Sequence, residues 1–106
     1  MSDDSQLFVP PSFVAVHTLP GRIKPSLPAA ELAQRYELCE DLAQMLAPQA
    51  GELQARLDAP ALEVLARMGA GLMATPDLVA APEGVWVLRR LAELLDWPDP
   101  GPEILG

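Results

Sequence analysis

SLPAAELAQRYELCEDLAQMLA, residues 26–47, is the stretch that decides how this chain folds. At about 100° per residue, Leu32, Tyr36, Cys39, Ala43 and Leu46 fall on one stripe. Leu38, Leu42 and Met45 widen that stripe to roughly half the helical wheel. Gln34, Glu37, Glu40, Asp41 and Gln44 lie opposite. Ser26 is placed to cap the helix, and Pro28 falls in the first turn, where its missing N–H costs nothing. Glu31 stands four residues ahead of Arg35, the better order for a helical ion pair. Pro48 lacks a donor and clashes with the preceding turn, so it is expected to end or kink the helix. An apolar arc this wide has to be buried, and the flanking segments must supply the cover.

Downstream, residues 48–57 read as a short helix with Leu53 and Leu57 inward, weakened by Gly51. Asp58 is placed to cap a better helix over 60–72. There Leu62, Leu65, Ala66, Gly69 and Leu72 point to the core, while Glu63 and Arg67 pair outside. The pair Gly69 and Gly71 suits close packing or a C-cap rather than a phosphate loop, because no strand precedes it. Pro82 opens a last helix, PEGVWVLRRLAELLDW, expected to stop at Trp97 because a residue before proline avoids the helical region. The tail DPGPEILG is expected to be mobile unless Ile104 and Leu105 dock.

Upstream, residues 1–6 read as an unstructured start. LFVPPSFVAV, residues 7–16, is apolar but interrupted by Pro10-Pro11, so it forms either a short helical turn from Ser12 or an extended strip. Pro20-Gly21 marks a turn in HTLPGRIK, residues 17–24. No strand pattern or internal repeat is present. The expected fold is all-α: a small bundle of four to five helices over 26–97. An N-terminal arm and loop over 1–25 precedes it, and a Pro-rich tail over 98–106 follows.

Fifteen Asp and Glu against seven Lys and Arg give a net charge of −8. That disfavours nucleic acid and anionic membranes, which call for a positive footprint. The acidic start and the absence of any apolar run near 18 residues point to neither a signal peptide nor a membrane span, so a cytoplasmic location is expected. A single cysteine excludes an internal disulfide and a thiolate zinc cage. Glu37, Glu40 and Asp41 share a helix face, yet nothing supplies the loop oxygens of a calcium site, and a solvated face is expected. His17 is the single histidine and has no metal-spaced companion. Nucleophilic catalysis by His17 with Cys39 would require a thiol from the middle of the buried stripe, where thiols are inert. No metal, cofactor or catalytic residue is therefore assigned, and the chain reads as a non-enzyme.

Trp86 and Trp97 carry the most information. Val85, Leu88, Leu91, Ala92 and Leu95 define the expected buried arc of the last helix, while Arg89, Arg90, Glu93 and Asp96 lie outside it. Both indoles fall on that polar side, eleven residues and so about 20° apart. A stripe of Trp86, Arg90, Glu93 and Trp97 has the composition of an interface anchor. Phe8 and Phe13 extend the candidate surface, since a Pro-containing apolar strip can dock on aromatic grooves. Two readings stay open: the strip covers the indoles within the chain, or a protein partner or second copy does. Arg22 and Lys24, in GRIKP, are either solvated or set against carboxylates of the main helix or of a partner.

LFVPPSFVAV (7–16), RYELCEDLA (35–43) and RRLAELLDW (89–97) together resemble a family of small bacterial proteins of unknown function, often labelled as an ATPase with chaperone activity. The likeness spans most of the chain. It implies an ATPase activity with a chaperone role, whereas a small acidic helical chain suits an adaptor accessory to a larger ATPase. No GxxxxGK[ST] motif accompanies it, so no nucleotide site is carried over. The leading expectation is a small, non-enzymatic protein–protein interaction module that pairs with a protein or with itself as a homodimer. The adaptor is the alternative, and a His17/Cys39 enzyme the third.

Overall fold

The computed structural model describes residues 8–106; the start over 1–6 and Leu7 lie outside the described residues. The fold is a small all-α bundle built of α1 (Pro11–Val16), α2 (Ala29–Leu57), α3 (Ala61–Met73) and α4 (Ala81–Leu94), with no strand among the described residues. The chain divides into two compact units, Met1–Leu38 and Cys39–Gly106, so the boundary falls inside α2.

In the first unit, α1 is six residues long and cannot hold its shape on helix propensity alone. Its anchor is Phe13, which is fully buried. The Phe13 ring lies edge-on to Tyr36 at 5.7 Å and tilted against His17 at 5.4 Å. Of the two readings of residues 7–16, the helical one is adopted, with Pro11 at a first-turn position that its fixed φ favours. At the mouth of α2, the Leu32 N–H donates to the Pro28 carbonyl at 2.9 Å. Pro28, not Ser26, therefore stands at the helix start. Ser26 is committed elsewhere: its N–H and its hydroxyl both donate to the His17 carbonyl, at 2.7 and 2.9 Å.

Pro48 does not end α2, which runs 29 residues as one helix. The carbonyl that loses its donor belongs to Gln44, and both Gln44 and Pro48 are exposed residues. The helix ends instead at Asp58, whose φ of 51° is left-handed, with the Ala59 N–H reaching back to the Gln54 carbonyl at 3.4 Å. This is a Schellman ending with Asp where glycine is usual. Asp58 thus terminates α2 rather than capping α3, and Pro60 occupies the α3 N-cap position with no side-chain cap. α4 ends the same way: Asp96 has φ 59°, and the Trp97 N–H donates to the Ala92 carbonyl at 2.8 Å.

In the second unit α3 packs on α4. Val64, Leu65, Gly69 and Leu72 of α3 are buried, as are Glu83, Gly84, Trp86, Val87, Leu88, Leu91 and Ala92 of α4. At 100° per residue the buried positions of α4 cover about 240° of its circumference. α4, not α2, is therefore the most enclosed helix of this unit. Glu83 is buried in its first turn, where the free N–H groups favour a carboxylate. Several residues expected inside face water: Met45, Leu57 and Leu62 are large exposed apolar side chains, and Ala66 is exposed too. Leu57 is the last residue of α2 and Leu62 the second of α3, so both sit at helix ends.

The tail docks through Leu105. A methyl group placed on Gly69 would stand 2.6 Å from Leu105 Cδ2 and 2.9 Å from Leu88 Cδ1; one on Gly84 would stand 3.2 Å from Leu105 Cδ1 and 2.8 Å from Met73 Cε. Glycine at these two positions lets the Leu105 side chain lie close against both α3 and α4. Arg89 holds the preceding turn with paired hydrogen bonds to Asp99 at 3.0 and 2.7 Å, and Asp99 also accepts the Gly101 N–H. That Arg89 contact, then the Gly101 bond, keeps the Asp99 carboxyl below its usual range.

Candidate functional site

Of the six side chains marked by sequence as partner-binding, Phe8 and Phe13 belong to the first unit and Trp86, Arg90, Glu93 and Trp97 to the second. Phe8 and Glu93 are exposed, and Arg90 and Trp97 are half-buried. Phe13 is 0% and Trp86 8% exposed, so neither is presented to a partner. The Trp86–Trp97 stripe needs a helix that continues through residue 97. α4 ends at Leu94, and the left-handed Asp96 takes Trp97 out of the helical register.

Arg90 and Glu93 have work within the unit. Arg90 Nε and Nη2 donate to the two carboxylate oxygens of Glu40 at 2.9 and 3.0 Å, and Nη1 donates to Glu93 at 3.0 Å. Gln44 Nε2 adds a bond to Glu40 at 2.8 Å. The forked Arg90 contact ties the middle of α2 to α4, the geometry in which arginine–carboxylate pairs are strongest. Glu40 is thus a structural partner of Arg90, not a member of a merely solvated acidic face. Arg90 draws the Glu40 carboxyl below its ordinary 4.5, against a smaller opposing push from burial. The Arg90 guanidinium is correspondingly raised, first by its bond to Glu40.

A double-mutant cycle on Glu40→Gln and Arg90→Met is expected to give a coupling of about 1 kcal/mol, since both side chains are less than a third exposed. The acid limb follows from the sign. A carboxyl with a depressed folded value stabilises fully above its unfolded value, and the contribution is lost as pH falls through the folded one. Wild-type stability should therefore drop more steeply than that of Glu40→Gln as pH falls below about 4.5, read from urea midpoints. Parallel curves would remove Glu40 as the group responsible.

Cys39 forms no disulfide and is fully buried in α2, a packing position for a thiol. Among the described residues no three His, Cys, Asp or Glu side chains converge closely enough to hold a metal ion, and no helix is long and apolar enough to cross a membrane.

The exposed chemistry is concentrated in the loop from His17 to Ser26. Its two ends are joined by the paired Ser26 bonds to the His17 carbonyl. The Thr18 hydroxyl fastens it to α1 through the Val14 carbonyl at 2.7 Å. At its tip, Arg22 N–H donates to the Leu19 carbonyl at 3.0 Å across Pro20 and Gly21, with Gly21 at φ 80°: the type II turn that Pro-Gly favours. On this braced frame Ile23 is 96% and Leu19 58% exposed. Arg22 and Lys24 flank Ile23 and make no ion pair within the described residues, whereas Arg67, Arg89 and Arg90 are each paired. Sequence reasoning singled out the two cations but passed over Ile23. The available signal was an isoleucine between prolines and cations, with no periodic pattern able to bury it.

No family model, curated protein or solved structure matches the chain.

Proposed function

We propose that this chain is a non-enzymatic protein–protein interaction module that engages its partner through the His17–Ser26 loop. The observation that supports this reading is the near-complete exposure of Ile23 on a loop whose ends are hydrogen-bonded together. An apolar side chain held in water by a pre-formed loop gives up its hydration on docking, and little chain entropy is lost. The flanking Arg22 and Lys24 add orientation and on-rate. The last helix, which carries buried Trp86 and internally paired Arg90, is not part of the proposed contact.

The test is a photo-crosslinking amino acid at position 23 of the full chain, irradiated in the cells that express it, with one at exposed Ala66 as control. Discrete adducts specific to position 23, lost when Arg22 and Lys24 are reversed to Glu, are the expected result. An adduct pattern identical at the two positions would sink this reading.

A further inference from the structure

We infer that the loop's partner is a second copy of this chain, with Ile23 of one copy seated in the methionine-lined groove of the other; this deepens the interaction reading above and rests on it. The groove lies between the later part of α2 and α3, has a volume of about 270 Å³, and is lined by Leu42, Met45, Met68 and Leu72 with Leu78 at its end. Its most open apolar side chain is Met45, 56% exposed. Methionine's flexible thioether adapts to an incoming side chain, which suits it to a surface that is filled by a partner.

Charge says which partner. Residues 39–106 carry eleven Asp and Glu against four Arg, a net −7. Residues 1–38 carry Arg22, Lys24 and Arg35 against Asp3, Asp4, Glu31 and Glu37, a net −1, but the loop over 17–26 holds two of those cations and no acid, a net +2. The groove belongs to the strongly acidic portion and the loop is a local patch of positive charge, so a second copy offers the opposite charge to each. The match extends to single residues. Asp41, Met45, Gln49 and Glu52 follow one another along α2 at intervals of four, four and three, and all are exposed. Such spacing places them on one face of the helix. The two carboxylates therefore bracket Met45 along this rim, about 16 Å apart at 1.5 Å per residue. In the loop, the two cations bracket Ile23. On the α3 wall Arg67 is already paired with Glu63 at 3.1 Å, which leaves the α2 rim as the charged edge open to a partner.

Sedimentation equilibrium on the full chain tests this, with helical circular dichroism as the fold control. Wild type should self-associate, and Ile23→Asp and Met45→Glu should each weaken association about tenfold. These positions are exposed, so neither change threatens the fold. Arg22→Glu with Lys24→Glu should weaken association comparably and flatten its salt dependence. Mixing that variant with an Asp41→Lys, Glu52→Lys variant should restore a complex that neither forms alone. A wild-type chain that stays monomeric, or self-associates equally in Ile23→Asp and Met45→Glu, overturns the self-pairing. Position-23 adducts to a different protein in that case leave the interaction reading standing, whereas their absence as well removes both.

Discussion

Phe13→Ala is expected to cost about 3–5 kcal/mol and to unfasten α1 and the loop that follows it, while Phe8→Ala is expected to cost almost nothing. The two phenylalanines lie five residues apart in one apolar strip, but Phe13 is 0% and Phe8 72% exposed. Deleting a fully buried ring removes its transfer free energy and leaves a cavity that rigid neighbours only partly fill. Here the loss has a further effect. A six-residue helix has too few hydrogen bonds to offset its nucleation cost, so α1 depends on the Phe13 contacts with Tyr36 and His17. With α1 loosened, the Thr18 hydroxyl bond to Val14 loses its acceptor geometry, and the loop loses its brace. Hydrogen exchange is the suitable reading, because it resolves segments. Amides of residues 13–26 should lose protection in Phe13→Ala, while those of α3 and α4 should keep most of theirs. Equal exchange in the two variants would show that the ring is not what holds α1.

The all-α fold is legible in the sequence because helical periodicity is a local property, and the buried stripe of α2 through Leu32, Cys39 and Ala43 follows it closely. The candidate surface was not legible, for two physical reasons. A wheel drawn for the last helix assumes one apolar arc and one polar arc, but α4 is enclosed over most of its circumference, so Trp86 is buried although it sits among charged neighbours. Projecting the wheel to Trp97 also assumes that the helix persists, but α4 ends at Leu94, four residues before Pro98, and Asp96 is left-handed. The Glu40–Arg90 pair, fifty residues apart, belongs to no local pattern at all. Proline misled in the other direction. Pro48 reads as a stop or a kink, and α2 continues through it, since a proline is tolerated within a helix that tertiary packing holds. The loop's role rests on what is missing, a pattern that would bury Ile23, and absence of pattern is a weak signal until coordinates show how exposed the residue is.

Gly69→Val is expected to destabilise the second unit by about 1–3 kcal/mol, although glycine inside a helix is itself unfavourable and its replacement ordinarily helps. Gly71, two residues on in the same helix, supplies the contrast. No atom lies within 4 Å of a methyl group added there, so Gly71→Ala should gain roughly 0.5–1 kcal/mol from backbone entropy alone. At Gly69 the added carbon meets Leu105 Cδ2 at 2.6 Å and Leu88 Cδ1 at 2.9 Å. Leu88 is fully buried and has no free space to move into, so the tail must give way. The two obstructions are separable by experiment. In a Leu105→Ala background one of them is gone, and the cost of Gly69→Val should fall by more than the roughly 0.5 kcal/mol within which independent sites add. Urea midpoints read through the two tryptophans, both in this unit, measure all four proteins. Strict additivity would mean that Leu105 does not sit against Gly69 in solution, and the closing turn of the chain would then contribute nothing to the α3–α4 packing.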